Sequence, residues 1–197
     1  MAKFFGNLHF VLIAGLVLAI AVIAFHGGDG GFSLPALFRW IHTFVGIVWI
    51  GLLYYFNFVQ IPTMPKIPAE LKPGISKHIA PSALFFFRWA AALTVLFGLA
   101  IAGQPGSGAP PYLVEALTFE PGFDLIGIGM WLALIMAFNV WFIIWPNQKK
   151  ALGIVEADDA SKAKAATTAM ITSRINTMLS ITMLYTMVTF NNGALAG

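Results

Sequence analysis

The chain has 197 residues, of which 59% are apolar and only 10% charged, and its mean hydropathy is +0.83. Ordinary soluble domains are roughly 45–50% apolar and about 25% charged, so a cytosolic globule, a disordered chain and a collagen-like fibre are all excluded. Zero cysteines exclude disulfides, thiolate metal ligands, iron–sulfur clusters and a covalently attached c-type haem. Lys plus Arg number 11 against 8 Asp plus Glu, a net charge of +3. These basic residues are explained by membrane orientation, and no nucleic acid partner is expected.

Five apolar stretches follow one another at about 8–25, 36–59, 82–102, 125–145 and 170–190. Each approaches or exceeds the roughly 20 residues that carry a helix across hydrocarbon. The first has no charge, and no small-x-small cleavage site follows it, so it reads as a retained helix before a Gly-rich turn, HGGDGGFSLP. The second starts at Pro35 and is expected to stop before the Pro-rich run IPTMPKIPAELKPG. The third is expected to begin after Pro81 and end at Gly103, and the fourth to end at Pro146. Segment 151–167, rich in Ala, Lys and Asp, is expected to form a short amphipathic surface helix before the fifth. The fold class that follows is an all-α integral membrane protein, one transmembrane domain over 1–197 with about five spans.

Five spans put the N-terminus and the loops 60–81 and 146–169 on one face. That face carries Lys3, Lys66, Lys72, Lys77, Lys149, Lys150, Lys162 and Lys164, with Arg88 and Arg174 just inside the adjoining spans. Only Arg39 falls on the other, where Asp29, Glu115, Glu120 and Asp124 gather. Positive charge stays inside, so the N-terminus is expected to be cytoplasmic, in a bacterial inner membrane. The lipid bilayer is the first partner.

The polar residues within spans carry the functional reading, because ionisable groups there are functional candidates by default. His42 is about two turns into the second span, on the order of 9 Å inside the outer boundary. It is the best candidate for a metal ligand, as an axial ligand to haem b, since imidazole suits iron and no cysteine competes. Gly46 and Trp49 continue its helical face, the glycine leaving room for a planar ring. His26 closes the first span on the same side and is a candidate second ligand. His9 and His78 belong near the opposite boundary. An imidazole bonded to a neighbouring helix is the structural alternative for His42. Arg88 and Arg174 either snorkel to headgroups or bind an anionic substrate, a haem propionate or a quinone oxygen. Asn139 needs a partner in lipid, and Asn176 and Ser180 form a polar pair at i,i+4. Tyr54, Tyr55 and Asn57 stand where they can frame the cytoplasmic end of a cavity.

Three segments carry a family resemblance: RWIHTFVGIVWIGLLYYF (Arg39–Phe56), NVWFIIWPNQKK (Asn139–Lys150) and SRINTMLSITMLYTMV (Ser173–Val188). The chain resembles the membrane domain of bacterial urate hydroxylases, the urate oxidase N-terminal family, and more weakly the protoporphyrinogen-oxidase-like haem-binding bundles. The resemblance implies an integral membrane oxidoreductase whose electrons leave through a cytochrome c domain. With no cysteine here, a separate cytochrome c or a larger membrane complex is expected to take that part. Some family elements differ. The His- and Gly-rich stretch expected after the early helix is missing between 60 and 81. An acid is replaced by Ala90 in FFFRWA, and a His-Asn-Asn-like element reads Arg174-Ile175-Asn176. These departures remove acid–base groups and weigh against urate oxidation itself. The expected function is a membrane redox module binding haem b. A non-catalytic subunit of a larger complex, and a small transporter for an organic anion, are the alternatives.

Overall fold

Proline lacks a backbone N–H, and its ring collides with the carbonyl four residues earlier, so it normally ends or kinks a helix. In the computed structural model of the chain, which describes residues 1–26, 33–105 and 110–191 (side chains of His26 and Asn191 excepted), the helices run through Pro62, Pro81 and Pro146 instead. They do so by one device. A π-turn at Tyr55–Gln60 precedes Pro62, another at Ile75–Ile79 precedes Pro81, and a third at Asn139–Ile144 precedes Pro146. The wider π-coil moves the carbonyls that the rings would strike.

In order, the α-helices are α1 (Ala2–Phe5), α2 (Leu8–His26), α3 (Leu34–Tyr54), α4 (Ile61–Thr63), α5 (Lys72–Gly74), α6 (Ala80–Ala102), α7 (Leu113–Leu117), α8 (Asp124–Phe138), α9 (Trp145–Ala151) and α10 (Asp159–Asn191). No strand occurs among the described residues. Through the π-turns, α3 continues to Lys66, α6 begins effectively at Lys72, and α8 extends to Ala151. Four helices, Leu8–Phe25, Leu34–Lys66, Lys72–Ala102 and Asp124–Ala151, are long and apolar enough to cross a membrane. The expected loop 60–81 and the expected stop at Pro146 are therefore largely helical. The segment 159–167, expected as part of a separate surface helix, is the first part of α10. The Gly-rich turn after His26 lies outside the described residues.

The chain divides into two units, Met1–Leu37 and Phe38–Gly197. In the first, Asn7 caps α2 through its side-chain oxygen, which accepts from the His9 N–H at 3.0 Å. At 1.5 Å per residue the 19 residues of α2 extend about 28 Å, close to the roughly 30 Å of a bilayer's hydrocarbon.

The second unit is a bundle of α3, α6, α8–α9 and α10, each antiparallel to its neighbours. Phe38 meets Phe97 and Phe56 meets Phe87 along α3 and α6. Tyr54 bonds Ser180 and Asn57 bonds Ser173 along α3, its π-turn and α10. Its core is built on Trp49, Leu53, Phe87, Met136 and Val140. In α10 the usual burial pattern is inverted: Thr172, Ser173, Asn176, Ser180 and Thr186 are buried, while Ile175, Met178, Ile181, Tyr185 and Val188 are exposed. That inversion is what a lipid solvent favours, with polar side chains paired between helices and apolar ones outside. It also explains why α10, which contains the expected span 170–190, is less apolar than the four helices above.

The start of α10 depends on a carboxylate. Asp158 accepts from the Ser161 N–H at 2.8 Å and the Ser161 hydroxyl at 2.7 Å, and these bonds hold its carboxyl below the ordinary value. A depressed carboxyl stabilises the fold above its unfolded pKa, and the contribution is lost as pH falls through the folded one. Acidification through that window should speed hydrogen exchange in the first turn of α10, as should Asp158→Ala at neutral pH. Unchanged protection there in both experiments would refute the capping role.

Candidate functional site

The helical period places Arg39, His42, Gly46 and Trp49 on one face of α3. That face borders a partly open cavity of about 770 Å3, lined also by residues of α6, α8 and α10, with Tyr112 at the end where α7 lies. His42 projects from α3 to α6, and its Nδ1 lies 2.8 Å from the Thr94 carbonyl oxygen. A carbonyl only accepts, so Nδ1 carries the proton and the neutral ring keeps its lone pair on Nε2. This is the arrangement in which a backbone carbonyl orients a metal-binding histidine.

The ring is seated against Gly98. A Cβ at that position would lie 2.9 Å from His42 Cε1 and 3.2 Å from Nδ1, so a side chain there would displace the imidazole. A Cβ on Gly46 would meet only Thr94 Cγ2 at 3.8 Å, an ordinary contact. Gly46 therefore widens the cavity without being required by the helix packing.

Trp49 is wholly buried, lines the cavity, and its indole N–H has no acceptor. Leaving a donor dry and unpaired costs about 1–3 kcal/mol. At the α7 end the wall turns polar with Arg39, Thr43 and Tyr112. Burial pushes the Tyr112 phenol up, and the Arg39 charge partly offsets that rise. The ring of Tyr112 stacks on Phe123 with centroids 5.7 Å apart and leans on Phe190 at 5.8 Å. Apart from Thr94 and His42 the rest of the wall is apolar, and it includes Met130, Met183 and Met187.

The other candidates lie elsewhere. Arg88 is half-buried beside the cavity's neighbouring helices rather than on its wall. Its guanidinium sits 3.9 Å from the Trp145 ring centroid, and its carbonyl accepts from the Trp141 indole at 3.0 Å. Arg174 is exposed. Asn139 donates to the Asn176 side-chain oxygen at 2.8 Å, and Asn176 in turn donates to the Met136 carbonyl at 2.9 Å. Tyr54 and Asn57 join the polar contacts with α10, while Tyr55 borders a separate pocket of about 100 Å3 with Gln60. The side chain of His26 lies outside the described residues. Among the described residues no three of His, Asp and Glu gather to hold a metal ion, so His42 stands as a single imidazole on a large apolar wall.

Sequence reasoning reached His42, Gly46 and Trp49 but missed Arg39, Tyr112 and the methionines. Arg39 was legible: it precedes His42 by three residues and so shares its face. The Thr94 carbonyl and the Gly98 seat had no signal, because they depend on which turn of α6 faces His42.

No curated protein and no solved structure matches the chain. The family described as urate oxidase N-terminal matches residues 112–195. Two of the three segments that carry the resemblance, Asn139–Lys150 and Ser173–Val188, fall inside that match, which supplies Tyr112 and the α8 and α10 walls of the cavity. Over those residues, less than half of the chain, the sequence is similar to the urate oxidase N-terminal family, in line with the resemblance of the two segments.

Proposed function

We propose that the cavity holds haem b and that the chain is a membrane redox module, related to the urate hydroxylase membrane domain, that passes electrons to a separate carrier. The observation that carries this reading is His42, oriented by the Thr94 carbonyl so that Nε2 keeps its lone pair at the edge of a cavity of about 770 Å3. The residues present fit the group. His42 would supply an imidazole to the iron with its ring fixed by the Gly98 seat, and Gly46 would leave space for the macrocycle. Arg39, with Tyr112 beside it, offers charge and a hydroxyl to propionates at the α7 end. Arg39 makes no ion pair among the described residues, where Lys162–Asp159 is the one such pair. Bound haem would supply one-electron chemistry, and the helices its ligation, dielectric and orientation. By the charge asymmetry of the loops, the α7 end faces outward, which puts the propionate edge on the side of an outer carrier.

A second reading draws on the same Arg39: an organic anion with an apolar body also suits a cationic mouth above an apolar cavity. An optical spectrum separates the two. Purified or haem-reconstituted wild type should show a Soret band. His42→Ala should abolish it, and Gly98→Ala should weaken haem retention at least tenfold by unseating the ring. No Soret band in the wild type, or an unchanged one in both variants, would exclude the haem reading.

A further inference from the structure

Resting on the haem reading, we propose that the second axial ligand is a methionine thioether from the α8–α10 wall, so that the iron is held by His and Met. Among the described residues that line the cavity, few groups can coordinate iron. Besides His42 these are the Tyr112 phenol and the thioethers of Met130, Met183 and Met187. His42 comes from the α3 side and its ring rests on α6 at Gly98. All three methionines come from the other two helices, Met130 from α8 and the remaining pair from α10. Imidazole and thioether thus approach from different walls, as two axial ligands must.

Level and packing support the same assignment. Met187 reaches α8 beside Gly129, where a Cβ would lie 3.2 Å from its methyl carbon. It packs against both core clusters, the one around Trp49 and the one that contains Met130, Ala102 and Ile126. Met183 is four residues earlier, about one turn closer to Trp49. The three methionines therefore line the cavity from the cluster that holds Tyr112 to the one that holds Trp49. Tyr112 is the weaker candidate. Its ring stacks on Phe123 and leans on Phe190, and burial disfavours the phenolate that would bind iron. Thioethers with one imidazole also suit a cuprous ion, but a cavity of about 770 Å3 far exceeds the space one ion needs.

Met in place of a second His raises a haem's reduction potential, so this module would accept electrons readily from its substrate side. The test uses the full chain loaded with haem. Near-infrared magnetic circular dichroism of the ferric protein should show a thioether-to-iron charge-transfer band. One of Met130→Leu, Met183→Leu and Met187→Leu should lose that band and lower the potential while keeping its haem on His42. Replacing the same methionine by histidine should restore a low-spin spectrum of bis-imidazole type. A bis-imidazole or five-coordinate wild type, or a band unchanged in all three leucine variants, overturns the thioether ligand and leaves the haem reading standing. A protein with no Soret band overturns both, and copper bound at one equivalent without haem replaces them with a cuprous site.

Discussion

Gly127→Ala should undock α7 from α8 and lower the thermal midpoint in detergent by roughly 6–12 °C. A Cβ at this position would run into the backbone carbonyl oxygen of Ala116 and would lie 3.1 Å from Phe119 Cδ1. Neither obstacle yields easily. The carbonyl belongs to the last turn of α7, and Phe119 is already held at φ 59, a left-handed conformation that costs a non-glycine residue on the order of 1 kcal/mol. Overpacking typically costs 1–3 kcal/mol, and an obstacle made of backbone belongs at the upper end. For a chain of this size about 3 kcal/mol corresponds to the midpoint shift stated. The damage should be local as well. The Tyr112 N–H donates to the Ala102 carbonyl at 2.9 Å and holds the segment before α7 on the end of α6. Limited proteolysis should therefore cut between 110 and 123 in the variant first. A midpoint within one degree of wild type, with that segment still resistant, would show that the approach of α7 to α8 is not what holds the cavity's end.

Asn176→Leu is expected to cost about 2–3 kcal/mol, chiefly through what it leaves behind. Asn176 is completely buried and carries two contacts at once, one to Asn139 and one to the Met136 carbonyl. The carbonyl lies where α8 passes into its π-turn, so the helical ladder there is already irregular. Interhelical hydrogen bonds in membranes average only about 0.6 kcal/mol. A stranded donor and acceptor cost about 1–3 kcal/mol each, so the orphans and not the lost bonds dominate. A distinctive consequence follows for the pair. Asn139→Leu combined with Asn176→Leu removes the stranded amide along with its partner, and the double variant should lose at least 1 kcal/mol less than the two singles added together. Strict additivity in chemical denaturation would refute the account.

Much of the fold is written in the apolar runs. The runs at 8–25 and 82–102 correspond to α2 and α6 nearly residue for residue, and the runs at 36–59 and 125–145 lie within helices that continue past them. What local rules misjudged was proline. Pro62 and Pro146 read as stops and Pro81 as a start, yet each follows a π-turn that lets the coil continue through it. Whether a proline breaks a helix or is absorbed depends on the neighbours that satisfy the loosened backbone, and those are remote in sequence. The site divides in the same way. Residues on a single helix face, His42, Gly46 and Trp49, were readable from period alone. Partners from other helices, such as the Thr94 carbonyl and Gly98 or the facing methionines, depend on rotation and depth, which one sequence does not encode locally. Asn139 and Asn176 were each marked as polar groups in lipid needing a partner or forming part of a polar stripe. The structure supplies the answer by pairing them with each other.

The π-turn at Tyr55–Gln60 also has a genealogical meaning. A π-turn is a helix with one residue too many, and removing that residue would swing everything beyond it by about 100° relative to what precedes it. The cavity face of α3 lies before this surplus residue, and the hydrogen-bonding side chain of Asn57 lies within it. A chain descended from a version without the insertion would aim the far half of its helix at lipid and not at α10. Proline 62 is thus a bookmark: in distant kin, a gap of a single position just ahead of it would signal that the two halves of the bundle have been re-indexed, even where every chemical motif is intact.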